Sequence, residues 1–397
     1  MRLLRSIHSV NPAGGGPIEG IKQVARIHQA AGHSTEIVSL DAPDTPWVRE
    51  CPVKVHAMGS GVSGYGYSGR FVPWLAEHRR EYDAVIVSGL WQYSGFGVWR
   101  ALRDTDTPYY VFPHGMLDPW FKRTYPLKHW KKWLYWPWAD YRLLRDARAV
   151  LFTSEEERRA ARESFWLYRC NETVVSYGIG EPGGDAEAQK EAVLQRFPEL
   201  RGQRVFLFLG RVHEKKGCDL LIKTFAKIAG KKSEVGSQKS APANSHQSVH
   251  LVFAGPDQGG WANELRALCM QLGIADRVVW TGMLDGDLKW GMLRLAEVFI
   301  LPSHQENFGI AVAEALACGT PVLISNKVNI WREIAEDCAG FVDEDDEPGT
   351  TRLLEKWLAT SPAEREAMRT TARETFRKRF EVTQAAEALI RVLREGH

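Results

Sequence analysis

The amino-acid sequence predicts an α/β protein made of two Rossmann-like domains. Short apolar runs alternate with helical patterns almost from end to end, which is typical of βαβ units and parallel sheets. The length of 397 residues exceeds what one hydrophobic core usually holds, so two domains of roughly 150 to 200 residues are expected. A hydrophobic fraction of 44% and a charged fraction of 25% exclude a wholly disordered, collagenous or coiled-coil chain.

The first half of the chain contains apolar runs of strand length. The predicted strands are Leu3–Ser9, Thr35–Leu40, Val53–Met58, Ala84–Ser88, Tyr109–Pro113, Ala149–Thr153 and Thr173–Tyr177. Between the first two strands, Pro17–Ala31 has the apolar spacing of a helix, and Gly32 follows it as a C-terminal stop.

The second half repeats the alternation. The predicted strands are Val205–Leu209, His250–Ala254, Val278–Thr281, Val298–Leu301, Pro321–Ile324 and Gly340–Val342. The helical patterns between them include Cys218–Ala229, Asn263–Leu272 and Ile310–Cys318.

Composition marks the domain boundaries. The glycine-rich and polar stretch 179–202 predicts a linker, so the N-terminal domain is expected to span 1–178 and the C-terminal domain 203–379. Residues 231–248 contain almost no large apolar side chain, which predicts a flexible surface insertion between a helix and a strand. The tail from Pro362 onward is helical in pattern.

Charge and cysteine usage exclude several classes of protein. Lys+Arg 51 against Asp+Glu 49 gives a formal charge of +2, so no global electrostatic footprint indicates nucleic acid as a partner. The cysteines are scattered without a C-x-x-C pair, which argues against a zinc site or a disulfide framework. Because the sequence shows neither a signal-peptide pattern nor 18 consecutive apolar residues, we expect a cytoplasmic protein.

A basic loop follows the apolar strand Val205–Leu209. It carries Arg211, Lys215 and Lys216 before the next helix begins. At the carboxyl end of a parallel strand such cations face the ligand site, where they suit a diphosphate. A solvated basic loop without a ligand is an equally acceptable interpretation of this stretch alone.

Two acids flank the next strand-to-helix junction. Glu306 lies in the loop after the predicted strand, and Glu314 lies eight residues later, about one turn inside the helix. The amides near Phe308 and Gly309 are at the helix N-terminus, which favours an anion or a sugar hydroxyl. The structural alternative, a tightly packed corner, explains Gly309 but not an acid at both ends.

Two further strand ends carry candidate residues. Gly14, Gly15 and Gly16 follow the first strand and permit close backbone approach to a ligand, although a plain loop is an alternative. The pattern is not the G-x-G-x-x-G dinucleotide fingerprint, so NAD binding loses its main support. His114 ends the strand that begins at Tyr109, where a structural role is the more common one for a lone histidine.

With these four features together, the chain resembles the retaining nucleotide-sugar glycosyltransferases of the GT-B fold, family 4. Three motifs are the most specific part of this resemblance. They are Gly-Arg-x4-Lys-Gly at Gly210–Gly217, Glu-x7-Glu from Glu306 to Glu314, and Gly-Thr-Pro at Gly319–Pro321. The likeness runs through nearly the whole chain. It implies two domains facing across a cleft, an N-terminal one for the acceptor and a C-terminal one for the donor, with a last helix of about 380–397 that packs back on the N-terminal domain.

The resemblance also implies residue roles. Arg211 and Lys216 would hold the donor diphosphate, Glu306 the sugar hydroxyls and Glu314 the ribose. The donor-binding set is Gly15, Gly16, Arg211, Lys216, Met283, Asn307, Phe308, Gly309 and Glu314, and the catalytic set is His114 and Glu306.

The implied chemistry needs no metal or other cofactor. Cations and a helix dipole stabilise the leaving diphosphate, and each preorganised donor contributes about 3 kcal/mol. The D-x-D spellings at Asp104–Asp106 and Asp285–Asp287 are interpreted as surface loops. Retention is expected through attack on the face from which the diphosphate leaves, and Glu306 as a covalent nucleophile is the alternative.

The segment Trp120–Trp138 combines five tryptophans with basic residues and no acid. Aromatic and cationic side chains favour a membrane interface, so Trp130, Lys131, Lys132 and Trp133 are candidates for acceptor or membrane contact. The alternative is an aromatic helix packed against the domain core.

The sequence therefore predicts a glycosyltransferase that moves a hexose-type sugar from a nucleotide-diphosphate donor to a saccharide or lipid-linked saccharide. A role in bacterial surface polysaccharide synthesis and peripheral contact with the inner face of the cytoplasmic membrane are expected. Rival interpretations are a GT-B nucleotide-sugar epimerase, a catalytically silent sugar-nucleotide-binding module, and a glycoside hydrolase that uses Glu306 and Glu314.

Overall fold

The computed structural model describes residues 1–59, 61, 64–235, 248–257 and 259–395. The chain forms two compact units, Met1–Gly180 with Phe380–His397 and Glu181–Arg379. Each unit is built on a parallel sheet covered by helices. The predicted α/β class with two Rossmann-like domains is confirmed.

The first unit has a seven-stranded sheet in the order β3-β2-β1-β4-β5-β6-β7. Its strands are β1 (Arg2–Ile7), β2 (Ser34–Ser39), β3 (Val55–Ala57), β4 (Ala84–Ser88), β5 (Tyr109–Phe112), β6 (Ala149–Phe152) and β7 (Glu172–Val174). Strands β4, β5 and β6 are buried along their whole length, which explains why they read as continuous apolar runs.

Helices follow the strands of this unit on both faces of the sheet. They are α1 (Gly16–Ala30), α2 (Pro46–Arg49), α3 (Phe71–His78), α4 (Tyr93–Leu102), α5 (Trp120–Thr124), α6 (Pro126–Tyr135), α7 (Asp140–Asp146) and α8 (Glu155–Ala161).

The second unit has a six-stranded sheet in the order β10-β9-β8-β11-β12-β13. Its strands are β8 (Arg204–Leu209), β9 (Val249–Ala254), β10 (Val278–Gly282), β11 (Val298–Leu301), β12 (Val322–Ser325) and β13 (Gly340–Asp343). The strand order reverses between β8 and β11. At such a switch point the loops after the two strands leave a crevice for ligands.

The helices of the second unit complete its layers. They are α9 (Ala186–Arg196), α10 (Cys218–Val235), α11 (Trp261–Gln271), α12 (Gly286–Leu295), α13 (Ile310–Ala317), α14 (Trp331–Glu336), α15 (Glu347–Ala359) and α16 (Pro362–Thr375).

The last helix, α17 (Val382–Glu395), belongs to the first unit. It packs along α1, and its buried side chains Leu389, Ile390 and Leu393 join the core under the sheet. Within the first unit, the peptide N–H of Ile179 donates to the carbonyl of Phe380 at 2.9 Å.

The predicted linker 179–202 differs from the structure. Helix α9 lies inside it and packs against α12, with Gln189 and Val193 buried. The sequence of α9 is mostly polar, and only a short face of it is apolar. The helix was therefore not recognised within the predicted linker. Of the predicted insertion 231–248, residues 236–247 lie outside the described part of the chain.

Candidate functional site

The loop after β8 carries the predicted basic residues. Arg211 is exposed, whereas the side chain of Lys216 is only 8% exposed. A short 3-10 turn, Glu214–Lys216, places Lys216 at the end of the loop, and Gly217 follows it with φ +66°. The turn therefore buries the ammonium of Lys216, whereas the guanidinium of Arg211 stays at the surface.

The loop after β11 is fastened to this basic loop. The peptide N–H of His304 donates to the carbonyl of Lys215 at 2.8 Å, and the buried Ser303 hydroxyl donates to the same carbonyl at 2.9 Å. The ammonium of Lys215 donates to the side-chain oxygen of Gln305 at 2.9 Å. Next to this pair, Lys216 forms an ion pair with the carboxylate of Glu306. Hydrogen bonds and an ion pair thus join the two loops into one polar corner at the switch point of the sheet.

Helix α13 begins at this corner. Gly309 has a left-handed conformation, with φ +77°, and an added Cβ would lie within 3.5 Å of Glu306 Cγ and of the side chains of Val312 and Val328. The amide oxygen of Asn307 accepts from the side chain of Asn329 at 3.4 Å. The first turn of α13 therefore opens beside Glu306, where its amides and the helix dipole favour an anion or a sugar hydroxyl.

Glu314 lies one turn further along α13. Its carboxylate accepts from Lys289 Nζ at 2.8 Å, and the two side chains are 13% and 24% exposed. Lys289 comes from α12. It belongs to no sequence motif, so sequence analysis could not identify it. Met283, in the segment between β10 and α12, is 74% exposed, which leaves its side chain open to a ligand.

His114 follows β5 in the first unit. Its φ is +50°, and its ring stacks on Phe112 at 5.5 Å between centroids. The next peptide N–H, of Gly115, donates to the buried carboxylate of Glu157 at 2.6 Å. Glu157 also accepts from the peptide N–H of Thr153 at 2.7 Å. This carboxylate, which sequence reasoning missed, joins the ends of β5 and β6 and fixes the turn that presents His114.

The glycine loop after β1 ends at the N-terminus of α1. Gly15 has φ +79°, with no atom within 4 Å of an added Cβ, and Gly16 is the first helical residue. The carbonyl of Gly16 accepts from the Tyr177 hydroxyl at 2.5 Å. The backbone at Gly15 is therefore open to close approach by a ligand, as the glycine pattern predicts.

The aromatic basic segment forms α5, α6 and the turn Trp136–Trp138. No side chain of α6 is buried, and Trp130 and Trp133 are 61% and 42% exposed. Trp136, in the following turn, is fully buried. The outer face of α6 is therefore open to solvent, whereas its other face contacts the first unit, where His129 stacks on Phe165. The core-packing alternative is correct for Trp136.

Comparison with known proteins identifies the family. Residues 15–178 match the family model described as "Glycosyl transferase 4-like domain", and residues 189–375 match "Glycosyl transferases group 1". This chain belongs to the group 1 glycosyltransferases. The family matches contain Gly15 and His114 in one domain and Lys216, Glu306 and Glu314 in the other.

Curated relatives of this glycosyltransferase match over part of their length. A D-inositol 3-phosphate glycosyltransferase of Thermomonospora curvata is 29% identical over 233 residues, which are 56% of this chain and 51% of the relative. The chain spans between about a third and a half of the first relatives that it matches.

Solved structures match over the full chain and confirm the GT-B fold. Sucrose-phosphate synthase from Thermosynechococcus elongatus aligns with a TM-score of 0.75 and 20% identity, covering 99% of this chain and 98% of that one. The Anabaena protein Alr3699/HepE, in complex with UDP and glucose, aligns with a TM-score of 0.73 and 16% identity over 100% of both chains.

Electrostatics single out Lys216 in the glycosyltransferase. Burial, followed by repulsion from Lys215 and Arg211, lowers the pKa of Lys216 to about 7. The carboxylate of Glu306 opposes this shift because it favours the ammonium form, and a bound anion would act in the same direction. Among the described residues, the carboxylate that forms an ion pair with this buried cation is that of Glu306.

A second buried polar cluster surrounds His114 and was also missed by sequence reasoning. Arg5 Nη1, Ser88 Oγ and His114 Nε2 are buried, and none has a hydrogen-bond partner in the described part of the chain. All three residues line a cavity of about 30 Å³ in the first unit. Since a site of this volume admits about one or two waters, water is the simplest partner for these groups. The sequence signal for this cluster is Arg5, a charged residue in the middle of β1.

The pKa values of His114 and His304, one histidine in each unit, are shifted in opposite directions. Burial, followed by the charge of Arg5, lowers the pKa of His114 to about 3, whereas the hydrogen bond to Asp345 raises the pKa of His304. In histidine-labelled protein, the ring of His114 should stay neutral from about pH 8 to about pH 5, so its NMR resonance should not move over this range. The ring resonance of His304 should titrate at a higher pH than that of an ordinary histidine. Variants His114→Gln and His304→Gln assign the resonances.

The sign of the stability effect follows from the same shift. Unfolded His114 takes up a proton below about pH 6.5, but the folded ring does not, so this residue lowers the free energy of unfolding as the pH falls from about 6.5. A His114 midpoint between pH 6 and 7 would contradict the buried, neutral ring.

Among the described residues, no group of three or more His, Cys, Asp or Glu side chains is arranged to hold a metal ion.

Proposed function

We propose that this chain transfers a hexose-type sugar from a nucleotide-diphosphate donor, with retention of configuration and without a metal, to a saccharide or lipid-linked saccharide. The observation that carries the proposal is the buried Lys216, in contact with Glu306, at the N-terminus of α13. A buried cation with one carboxylate partner suits a second anion, the diphosphate, while Glu306 keeps an acceptor oxygen for a sugar hydroxyl.

In the proposed reaction, the bond between the anomeric carbon and the diphosphate oxygen breaks and positive charge develops on the sugar. Arg211, Lys216 and the dipole of α13 stabilise the leaving diphosphate. The acceptor hydroxyl attacks the same face, and a phosphate oxygen of the leaving group takes its proton. Glu306 and the backbone of Phe308 and Gly309 orient the sugar.

Other residues take the roles that the family resemblance implies. Glu314 binds the ribose, with Lys289 holding its carboxylate in place. Met283 and Asn307 contact the donor. His114, Gly15 and Gly16 of the first unit contact the transferring sugar and the phosphates. A neutral His114 suits this role, because an imidazolium would repel the developing positive charge on the sugar.

The relatives indicate which donor sugars to assay first. The HepE structure contains UDP and glucose, so UDP-glucose is the first donor to assay. Another relative is named a D-rhamnosyltransferase, from Pseudomonas aeruginosa, which makes a deoxyhexose the second choice of donor sugar. A role in bacterial surface polysaccharide synthesis is part of the proposal.

The proposal is tested by thermal shift with UDP, GDP, ADP and their sugar conjugates. One base should stabilise the protein, by about 2.7 kcal/mol at a hundredfold excess over its dissociation constant. The shift should disappear in Arg211→Ala and remain in Arg277→Ala, a control arginine in the same unit. If no nucleotide produces a shift, the donor assignment fails. NMR of the product anomer then distinguishes transfer with retention from inversion and from epimerisation of the donor.

We further propose that the outer face of α6 contacts the surface of an anionic membrane. No described helix is long and apolar enough to cross a bilayer. The exposed rings of Trp130, Trp133 and Trp166 lie beside the exposed Lys128 and Lys131. Rings of this kind settle at headgroup level, and each lysine near an anionic surface contributes about 1 kcal/mol.

Liposome co-sedimentation tests the membrane contact. Reversing Lys128, Lys131 and Lys132 to glutamate should weaken binding to phosphatidylglycerol vesicles at least a hundredfold, since the attraction of three charges becomes repulsion. The matched control reverses Lys190, Lys223 and Lys378 of the second unit, of which the first two are half-buried and the third is exposed, and it should leave binding within about twofold. Unchanged binding after the first reversal would exclude the membrane surface.

A further inference from the structure

A pocket of about 220 Å³ lies within the first unit, between the loop after β4 and the helices α5 and α6. We call it the Trp91 pocket. Its walls include Trp91, Phe121, Phe165 and the segment Met116–Pro119. That segment continues directly from His114, so the pocket opens at the carboxyl edge of the sheet, where ligands of this fold class bind.

The charge of the pocket is strongly positive. The pocket is lined by the basic residues Lys122, Lys128, His129 and Lys132 and by one acid, Asp118. The ammonium of Lys132 lies 4.5 Å from the ring centroid of Trp91 and 5.5 Å from that of Phe121. Lys128 Nζ lies 4.9 Å from the centroid of Tyr125. In the described part of the chain neither lysine has an ion pair with a carboxylate, so both charges remain available to an anionic ligand.

Lys132 is also partly removed from water. Burial, opposed by the nearby Asp140, lowers its pKa. A half-buried ammonium that rests on aromatic rings gains more from an incoming anion than a solvated one, because the interaction is less screened.

The backbone of Trp91 is held in an unfavourable conformation. Its φ is +68°, which is costly for a tryptophan. The buried carboxylate of Asp140 accepts from its peptide N–H at 2.9 Å and holds it there. In addition, the indole Nε1 of Trp91 is buried without a partner among the described residues. Strain of this kind is found where a ring is positioned for a ligand.

An apolar path continues from the pocket to the surface. A second groove, of about 500 Å³, shares Lys122, His129 and Phe165 with the Trp91 pocket and is bordered by the exposed rings of Trp130, Trp133 and Trp166. A ligand with a charged head and a long apolar tail would fit both features. A small polar anion would use only the first, and a neutral lipid only the second.

We infer that the Trp91 pocket binds the phosphate or diphosphate head of an amphiphilic acceptor, whose apolar chain lies along Trp130, Trp133 and Trp166. This inference rests on the proposed function, because it names the chemical class of the acceptor. Lys132 and Lys128 pair with the phosphate, and the Trp91 ring covers it.

The test uses farnesyl phosphate as the probe, titrated calorimetrically into the full chain with saturating nucleotide to block the diphosphate site of the second unit. Lys132→Gln should weaken binding at least tenfold, since a charge-assisted hydrogen bond is lost. Lys131→Gln, a neighbour that does not line the pocket, should stay within about twofold. Lys128→Gln provides a second variant if Lys132→Gln does not fold.

Two further titrations measure the binding of the phosphate head and of the apolar chain separately. Inorganic phosphate should bind weakly and compete with farnesyl phosphate, whereas farnesol should bind without dependence on Lys132. Equal binding of farnesyl phosphate by Lys132→Gln and Lys131→Gln would overturn the inference. If farnesyl phosphate fails to bind while the nucleotide still does, only the acceptor class is wrong. If no nucleotide binds but farnesyl phosphate does, the proposed function fails and the anionic pocket remains.

Discussion

Replacing Lys216 with methionine is expected to lower kcat/KM about a hundred- to a thousandfold. The ammonium of Lys216 is buried and forms an ion pair with Glu306 at the start of α13, where the negative charge of the leaving diphosphate is expected to develop. Removal of one preorganised charge or donor at such a position typically costs this much in rate. Methionine keeps most of the buried volume, so the loss should come from the charge.

The matched control is Lys215→Met. Lys215 precedes Lys216 in the same loop, but its ammonium donates to Gln305 at 2.9 Å rather than to Glu306, so kcat/KM should fall less than about tenfold. Steady-state kinetics with the donor identified by thermal shift measure both variants, and a melting curve checks that each is folded. An equal fall in kcat/KM in the two variants would show that only the total positive charge of the loop matters. The contact of Lys216 with Glu306 would then have no specific role in catalysis.

The central strands were the most predictable elements because they are buried on both faces. Runs such as Val205–Leu209 and Val298–Leu301 contain only apolar residues, and each of the thirteen predicted strands overlaps a strand of the described structure. Helix α9 was not predictable, since the polar stretch around it resembles a linker and its buried face rests on only two residues, Gln189 and Val193. Its position depends on α12, which is about a hundred residues away in the sequence.

The candidate site was partly predictable because several of its residues directly follow predicted strands. Lys216 and Glu306 follow strands that prove to be neighbours in the sheet, and the ends of neighbouring parallel strands meet at one edge. Lys289 and Glu157 could not be found in this way. Each is a single charged residue on a helix, without a motif, and its importance comes from the partner that the fold places beside it.

Orientation was the least predictable property of the aromatic segment. The helical spacing of α6 was correct, but sequence alone left open whether its tryptophans face the core or the solvent. The structure separates them: Trp136 is buried, while Trp130 and Trp133 are exposed. Because tryptophan suits both environments, only the position of the neighbouring elements decides between them.

Replacing Gly217 with alanine is expected to destabilise the second unit by about 3 kcal/mol or more. Two costs add at this position. The φ of +66° is left-handed, which costs an L-residue roughly 1–2 kcal/mol. The added Cβ would also overlap the carbonyl oxygen of Pro302, so the loop after β8 and the loop after β11 would have to move apart.

Gly273→Ala separates these two costs. Gly273 has a nearly identical φ of +68°, but no atom lies within 4 Å of an added Cβ, so only the conformational cost of roughly 1–2 kcal/mol should appear. Hydrogen exchange of the amides in β8 and β11 measures the stability of the second unit in both variants. Gly217→Ala should also weaken nucleotide binding, because the displaced loops carry Lys216 and Glu306, whereas Gly273→Ala should not. Equal destabilisation by the two alanines, with binding retained in both, would mean that the close approach of the two loops does not position the site.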